Sequence, residues 1–321
     1  MRLKLVPEQT SWDFMRHSQR AIYASGILSV VSLLLVIWVG LNFGIDFRGG
    51  TTIRSVSQTP VDIGEYRNRI APLELGDVVI SEVFDISFGP DENVASIRFE
   101  AQGDEEAVSS LTVVRIQEAL RALDPEMQFP LVESVGPKVS GELIQKAVLA
   151  VLAAIGAVLL YIWLRFEWQF SLGAVTALVH DVVLTLGIFS ALQIKFDLAI
   201  IAALLTIVGY SLNDTVVLFD RVRENLRRYK KPELSEVLNL SVNGTLSRTV
   251  MTSVTTLIAL IALFVFGGDV IRPFVFAMIW GVVVGTYSSI FVASNILLRL
   301  GVKRDWEQTQ KGAGTKFTQD D

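Results

Sequence analysis

Six stretches of the chain stay apolar long enough to cross a bilayer, which takes about 20 residues of helix. Ala21–Leu41, Ala147–Leu164, Thr249–Gly268 and Pro273–Leu298 contain no charged residue, while Trp168–Ile194 holds only Asp181 and Leu198–Phe219 only Asp214. The first run follows twenty mixed residues and exceeds the apolar core of a cleavable signal peptide, so it is expected to be retained. Between the first two runs the pattern changes. Thr51–Ser57, Val78–Phe84, Val94–Phe99 and Phe129–Val135 read as strands, and Val61–Ala71 and Asp104–Leu123 as amphipathic helices. The order β-α-β-β-α-β is that of a ferredoxin-like domain. The fold class expected is therefore a polytopic α-helical membrane protein, with six transmembrane helices and an outer α+β domain between the first and second.

Composition supports this reading. Of 321 residues 51% are hydrophobic and 19% charged, against about 25% charged in ordinary soluble domains. With no cysteine, thiolate chemistry is excluded, and with only two histidines, His17 and His180, a histidine-rich metal centre is not expected. The net charge of −5 divides unevenly: residues 42–142 carry 18 acidic and 8 basic side chains, a balance of −10, which leaves +5 for the rest. Short loops rich in Lys and Arg stay in the cytoplasm. The basic segments before the first run, between the fourth and fifth, and after the sixth all fall on one side when six helices alternate. The expected layout has a cytoplasmic segment 1–20, a transmembrane helix 21–41 and an extracytoplasmic domain 42–142. A five-helix bundle 143–300 with a cytoplasmic loop 220–247 follows, then a polar, disordered cytoplasmic tail 301–321. The carboxylates of the outer domain are scattered at turns and form no catalytic constellation, which suits a surface for handling another protein better than an active site.

A charge inside a spanning helix costs about 2.5–3.5 kcal/mol on insertion scales and calls for a reason. Asp181 follows His180 near the middle of the third run, and Asp214 follows Asn213 in the fourth. The fifth helix opens with Arg248, Thr252, Thr255 and Thr256 at a spacing that aligns them in one stripe. Asp214 and Arg248 are expected at comparable depth. Arginine keeps its proton, so the aspartate is the group able to exchange one. The pair reads equally as a proton-responsive switch or as a static bridge pinning two helices, and His180–Asp181 as an interhelical hydrogen bond or a relay. Gly281–Gly285 has the G-x-x-x-G spacing of close helix packing. Neither aspartate has the Gly-x-Gly-Asp setting of membrane aspartyl proteases.

Gly44-Ile45-Asp46-Phe47-Arg48-Gly49-Gly50, directly after the first run, resembles the Gly-x-Asp-Phe-x-Gly-Gly signature of the SecD/SecF family. Val135-Gly136-Pro137-Lys138-Val139-Ser140-Gly141 resembles that family's second landmark, and the stretches around Gly209–Val217, Phe219–Asn225 and Leu246–Thr256 follow in the expected order. The resemblance implies a bacterial inner-membrane subunit of the protein-export machinery, built on the resistance-nodulation-division architecture, that draws on the proton motive force. It implies protons as the coupling ion, no other cofactor, and no hydrolytic site. Asp214 matches the proton-responsive aspartate and Arg248 its arginine partner, while Asp46, Gly49, Gly50, Gly136 and Pro137 mark a joint where membrane helices meet the outer domain. Some relatives fuse two halves in one chain and this chain matches one half. A separate SecD partner is implied, alongside the SecYEG channel, YajC, the exported unfolded polypeptide and the lipid bilayer, with no nucleic acid. The alternatives are a passive assembly subunit, for which Asp214 would be replaceable, and a proton-driven exporter of small solutes, for which an outer segment of about 100 residues is small.

Overall fold

The computed structural model describes residues 7, 10–73, 75, 78–83, 92–99, 110–268 and 270–302. Helix α1 (Met15–Trp38) leads through a short strand β1 (Asn42–Phe43) and one helical turn α2 (Ile45–Arg48) into the outer domain. That domain comprises β2 (Gly50–Ser57), α3 (Ile63–Ile70), β3 (Val78–Val83), β4 (Asn93–Phe99), α4 (Ser110–Arg121) and β5 (Gln128–Val135). The chain returns through α5 (Pro137–Arg165) and α6 (Trp168–Leu192), pairs a strand β6 (Lys195–Phe196) with β1, and continues in α7 (Leu198–Arg228) and α8 (Leu234–Phe266). The last span is α9 (Arg272–Ser288), a π turn at Ser289–Ala293 and α10 (Ser294–Leu300). Among the described residues six helices are long and apolar enough to cross a membrane.

The outer sheet has the order β3-β4-β2-β5 with every pair antiparallel, the arrangement expected of βαββαβ. Alternation along the strands sends Ile53, Ile80, Ala95, Ile97 and Phe99 to one face, where they pack with Tyr66 and Ile70 of α3 and Ile116 and Leu120 of α4. The other face carries Thr52, Arg54, Ser96, Arg98 and Glu133 and is turned toward the end of the membrane helices. Asp62 caps α3 by accepting from the backbone N–H of Gly64 at 2.8 Å and Glu65 at 3.1 Å. The helix read as Asp104–Leu123 is described from Ser110 to Arg121, and its first residues, like Phe84 and the acids Asp85, Asp91, Asp104, Glu105 and Glu106, lie outside the described residues. So does the tail beyond Val302.

A buried carboxylate fastens the far end of this domain. Asp124 accepts from Ser57 Oγ at 2.6 Å, from the N–H of Gln58 at 3.2 Å and from that of Glu126 at 2.9 Å. These bonds, Ser57 foremost, hold its carboxyl below the usual aspartate value of 3.8. A depressed folded value supplies stability that is present above the unfolded value and lost as pH falls through the folded one. Thermal stability of the outer domain is therefore expected to fall below about pH 4, and Asp124→Asn to flatten that acid limb. A slope unchanged in the variant would assign it to other groups.

Three boundaries differ from the sequence reading. Helix α5 already begins at Pro137, inside the segment 42–142 expected as the outer domain. The expected loop 220–247 is helical except for Tyr229–Glu233. The hydropathy ends but the helices do not, because Val222 and Leu226 of α7 bury against Val237, Leu238 and Val242 of α8, and Arg221 pairs with Glu224 at 2.7 Å one turn on. Helix α1 also starts earlier than Ala21. Asn239 accepts from the Met15 N–H at 3.0 Å, and Asn243 holds both the N–H and the C=O of Trp12, which ties the segment before α1 to α8. The Gly281–Gly285 spacing serves close packing: a side chain at 281 would strike Ile207 of α7, and one at 285 would press on Ser211.

Candidate functional site

Asp181 lies where α6, α7 and α9 meet, 1% exposed. Its Oδ1 is 2.9 Å from His180 Nδ1, and its Oδ2 accepts from Ser211 Oγ at 2.6 Å and from Ser288 Oγ at 2.8 Å. Three donors from three helices meet the needs of a carboxylate removed from water. The bond between the neighbouring His180 and Asp181, expected to run between helices, is local to α6; Ser211 and Ser288 make the interhelical contacts. His180 stacks at 6.2 Å on Tyr287, whose hydroxyl donates to Ala21 O and so reaches α1. Removing one donor leaves Oδ2 short of a partner, and intramembrane hydrogen bonds are worth about 0.6–1.7 kcal/mol. Ser288→Ala is expected to lower thermal stability by about 1 kcal/mol, while Ser288→Thr, which keeps the hydroxyl, loses less; equal stability of both would show the bond to be dispensable.

Asp214 presents a different environment. It lies one turn beyond Ser211, 5% exposed, and its Oδ2 is buried with no hydrogen-bond partner. Arg248 is the cation whose field reaches it, but no Arg248 nitrogen comes within 4.0 Å of the carboxylate, so the expected pair faces across a gap rather than forming a bridge. Arg248 itself is exposed at the bundle surface. The threonine stripe also lies on that open side: Thr255 is exposed and Thr252 half-buried, both donating to carbonyls of their own helix, while Thr256 receives the Tyr210 hydroxyl at 3.4 Å. Asn213 is exposed and turned away from the aspartate pocket, because one residue along a helix is a rotation of about 100°. It does not support the site as its neighbour does. Two hydroxyls that the stripe missed, the buried Ser253 and the half-buried Thr286, join α8 to α9 at 2.7 Å.

The outer joint is more tightly built than its residues suggested. β1 and β6 pair in parallel, Asn42 with Lys195 and Phe43 with Phe196, and the Gly44 N–H donates to Phe196 O at 2.8 Å. Phe43, Phe47, Phe189 and Phe196 close over this strap with ring separations of 5.6–6.1 Å. Asp46 Oδ2 accepts from the N–H of Leu198 at 3.1 Å, at the first residue of α7. The signature aspartate therefore holds the N-terminus of the helix that carries Asp214. Beside it, burial pushes the Asp197 carboxyl up, Lys195 opposes this and Asp46 adds to it. Gly49 and Gly50 follow with φ of 74° and 130°, conformations that favour glycine. On the return path Gly136 caps α5, Pro137 occupies its first turn, and Ser140 Oγ reaches Ile45 O at 3.4 Å.

Residues 115–303 match the family model described as protein export membrane protein SecD/SecF, C-terminal, and residues 39–54 match the SecD/SecF GG motif. The chain is 56% identical over 322 residues to the protein translocase subunit SecF of Rhodobacter capsulatus, covering 98% of this chain and 96% of that one. It is also 56% identical to the corresponding Cereibacter sphaeroides subunit over 316 residues, 98% of each. The crystal structure of SecDF from Thermus thermophilus, a translocon-associated membrane protein, superposes with a TM-score of 0.82 at 34% identity. That match covers 94% of this chain and 40% of the SecDF chain, so the chain spans well under half of that larger protein.

Proposed function

The chain belongs to the SecD/SecF family of protein-export membrane proteins, and on that premise we propose that it couples proton movement at Asp214 to motion of its outer domain during export. The observation that carries this reading is the contrast between the two intramembrane aspartates. Asp181 is saturated by hydrogen bonds and serves as a structural junction of three helices. Asp214 is buried, lacks a partner at Oδ2 and faces Arg248 across a gap, which leaves its carboxyl free to bind and release a proton as Arg248 moves. Protonation changes the attraction between α7 and α8, and Asp46 at the head of α7 passes the movement to the outer domain.

The open flank around Arg248 supports a partner. Exposed guanidinium and hydroxyl groups at membrane depth need cover, and the apolar windows of α1, α5 and α8 are each only 11% buried within the chain. A SecD membrane half packed there would complete the proton path, with the SecYEG channel and YajC as further neighbours and unfolded polypeptide as cargo. The basic end of α7 and the basic segment before α1 support a layout with both termini in the cytoplasm and the outer domain on the opposite side. No hydrolytic step enters the cycle. The test is polypeptide export into membrane vesicles containing the chain and its partner, with and without a proton gradient. A gradient should raise the yield only when both are present, and a yield indifferent to the gradient would refute the coupling.

A further inference from the structure

A cavity of about 370 Å3 separates the open face of the outer sheet from the adjoining end of the membrane bundle. Its two walls differ in chemistry. The sheet supplies Arg54, Arg98 and Glu133, the loop before α7 supplies Lys195 and Asp197, and Arg272 stands at the start of α9. Beyond these charges the membrane-side wall carries an apolar strip of Phe264, Val270 and Phe276, with Phe264 and Val270 exposed at the bundle surface. This level, between the end of α8 and the start of α9, is where a bilayer passes from hydrocarbon to headgroups.

Two buried atoms of opposite character in this cavity lack hydrogen-bond partners: Arg98 Nε, a donor, and Asp197 Oδ1, an acceptor. Burial and the neighbouring Arg48 both weigh against the Arg98 charge, and Asp197 supports it without touching it. Among the described lining residues Lys195 pairs with Asp197 Oδ2 at 3.7 Å, and three arginines stand with Glu133, a balance that favours an anion; arginine is suited to phosphate. The unmet carboxylate oxygen asks for a donor close to that anion. Cationic pockets between membrane helices hold lipid headgroups by this chemistry.

We propose that this cavity is a binding site for the phosphoethanolamine headgroup of a phospholipid in the leaflet facing the outer domain. The phosphate lies against Arg98 with Arg54 and Arg272 around it, the ammonium donates to Asp197, and the acyl chains leave along Phe264 and Val270. A free phosphate would use the cations but neither the apolar wall nor Asp197. A phosphatidylcholine headgroup has no N–H to donate, and a phosphatidylglycerol has no ammonium. A lipid here would wedge beneath the outer domain beside the strap that joins it to α7. The site requires only that the helices span the membrane, so its failure would leave the proton-coupling reading untouched.

The test is native mass spectrometry of the purified, delipidated full chain titrated with dioleoyl lipids. One phosphatidylethanolamine adduct should form in preference to phosphatidylglycerol and phosphatidylcholine, with dioleoylglycerol giving none. Arg98→Gln should weaken both phosphatidylethanolamine and phosphatidylglycerol by about tenfold, as expected for a lost charged hydrogen bond. Asp197→Asn, a conservative change outside the sheet, should abolish the preference between them, and it decides the matter even if R98Q unfolds the outer domain. Equal adducts with all phospholipids, or a preference unchanged in D197N, would overturn the proposal. Displacement by millimolar inorganic phosphate alone would make this a free-anion site. R98-dependent binding of an unfolded acidic peptide without any lipid adduct would reassign it to polypeptide. Either result would also overturn the proposal.

Discussion

Asp214→Asn is expected to abolish the gradient-dependent part of export while leaving the chain folded and bound to its partner. The substitution keeps the volume and planarity of the side chain and removes the group that can exchange a proton. Asp214 Oδ2 has no hydrogen bond to lose, so the structural cost is small. The charge on Arg248 is no longer answered at any point in the cycle, which fixes α7 and α8 in the arrangement they adopt with a neutral partner. Export driven without a gradient should continue at its own rate. The decisive measurement is translocation with and without a gradient in vesicles where co-purification shows the complex intact. Full gradient stimulation in the variant would show that Asp214 and Arg248 are a static element, and the passive-assembly reading would then hold. Asp181→Asn makes the contrast. It replaces a carboxylate that accepts from Ser211 and Ser288 at one oxygen, so its main effect is on stability, with gradient stimulation preserved in the protein that survives.

The six spans were legible because hydrocarbon imposes one rule on every residue in it, and six charge-free or nearly charge-free runs of about 20 residues fit a bilayer better than any water-facing core. The outer domain was legible through strand alternation. Other features leave no local trace. The β1–β6 strap joins two pairs of residues some 150 positions apart, and no periodicity marks a two-residue strand. The donors to Asp181 are single serines in apolar helices, indistinguishable by sequence from serines that bond only their own backbone. Asn213 stands next to Asp214 in a long recognisable motif, yet the helical rotation turns it outward. The helical extension beyond residue 220 is amphipathic and charged, so a count of apolar residues stops where the bilayer ends although the helix continues.

Replacing Gly49 and Gly50 together by Val should disconnect the motor from its outer domain, and this is the second large effect expected. Both residues adopt positive φ, 74° with ψ 162° at Gly49 and 130° at Gly50, a region that a β-branched residue enters at about 1–3 kcal/mol each. They stand directly between Asp46, fixed to the N-terminus of α7, and β2, whose first residue pairs with the last residue of β5. Neighbouring segments are held on one side by the strap and its phenylalanines and on the other by the sheet. In the proposed coupling, rotation between them would concentrate at these two glycines. In the double variant the strain displaces α2 or frays the start of β2, and gradient-stimulated export should fall to the unstimulated level with Asp214 unchanged. A control locates the fault. The chain has no cysteine, so cysteines placed at Asn42 and Lys195, which pair across the strap, can be oxidised to lock β1 to β6. If the strap moves as one piece with α7, the locked protein exports normally while G49V/G50V does not. Loss of export on oxidation, restored by reduction, would move the pivot from the glycines into the strap.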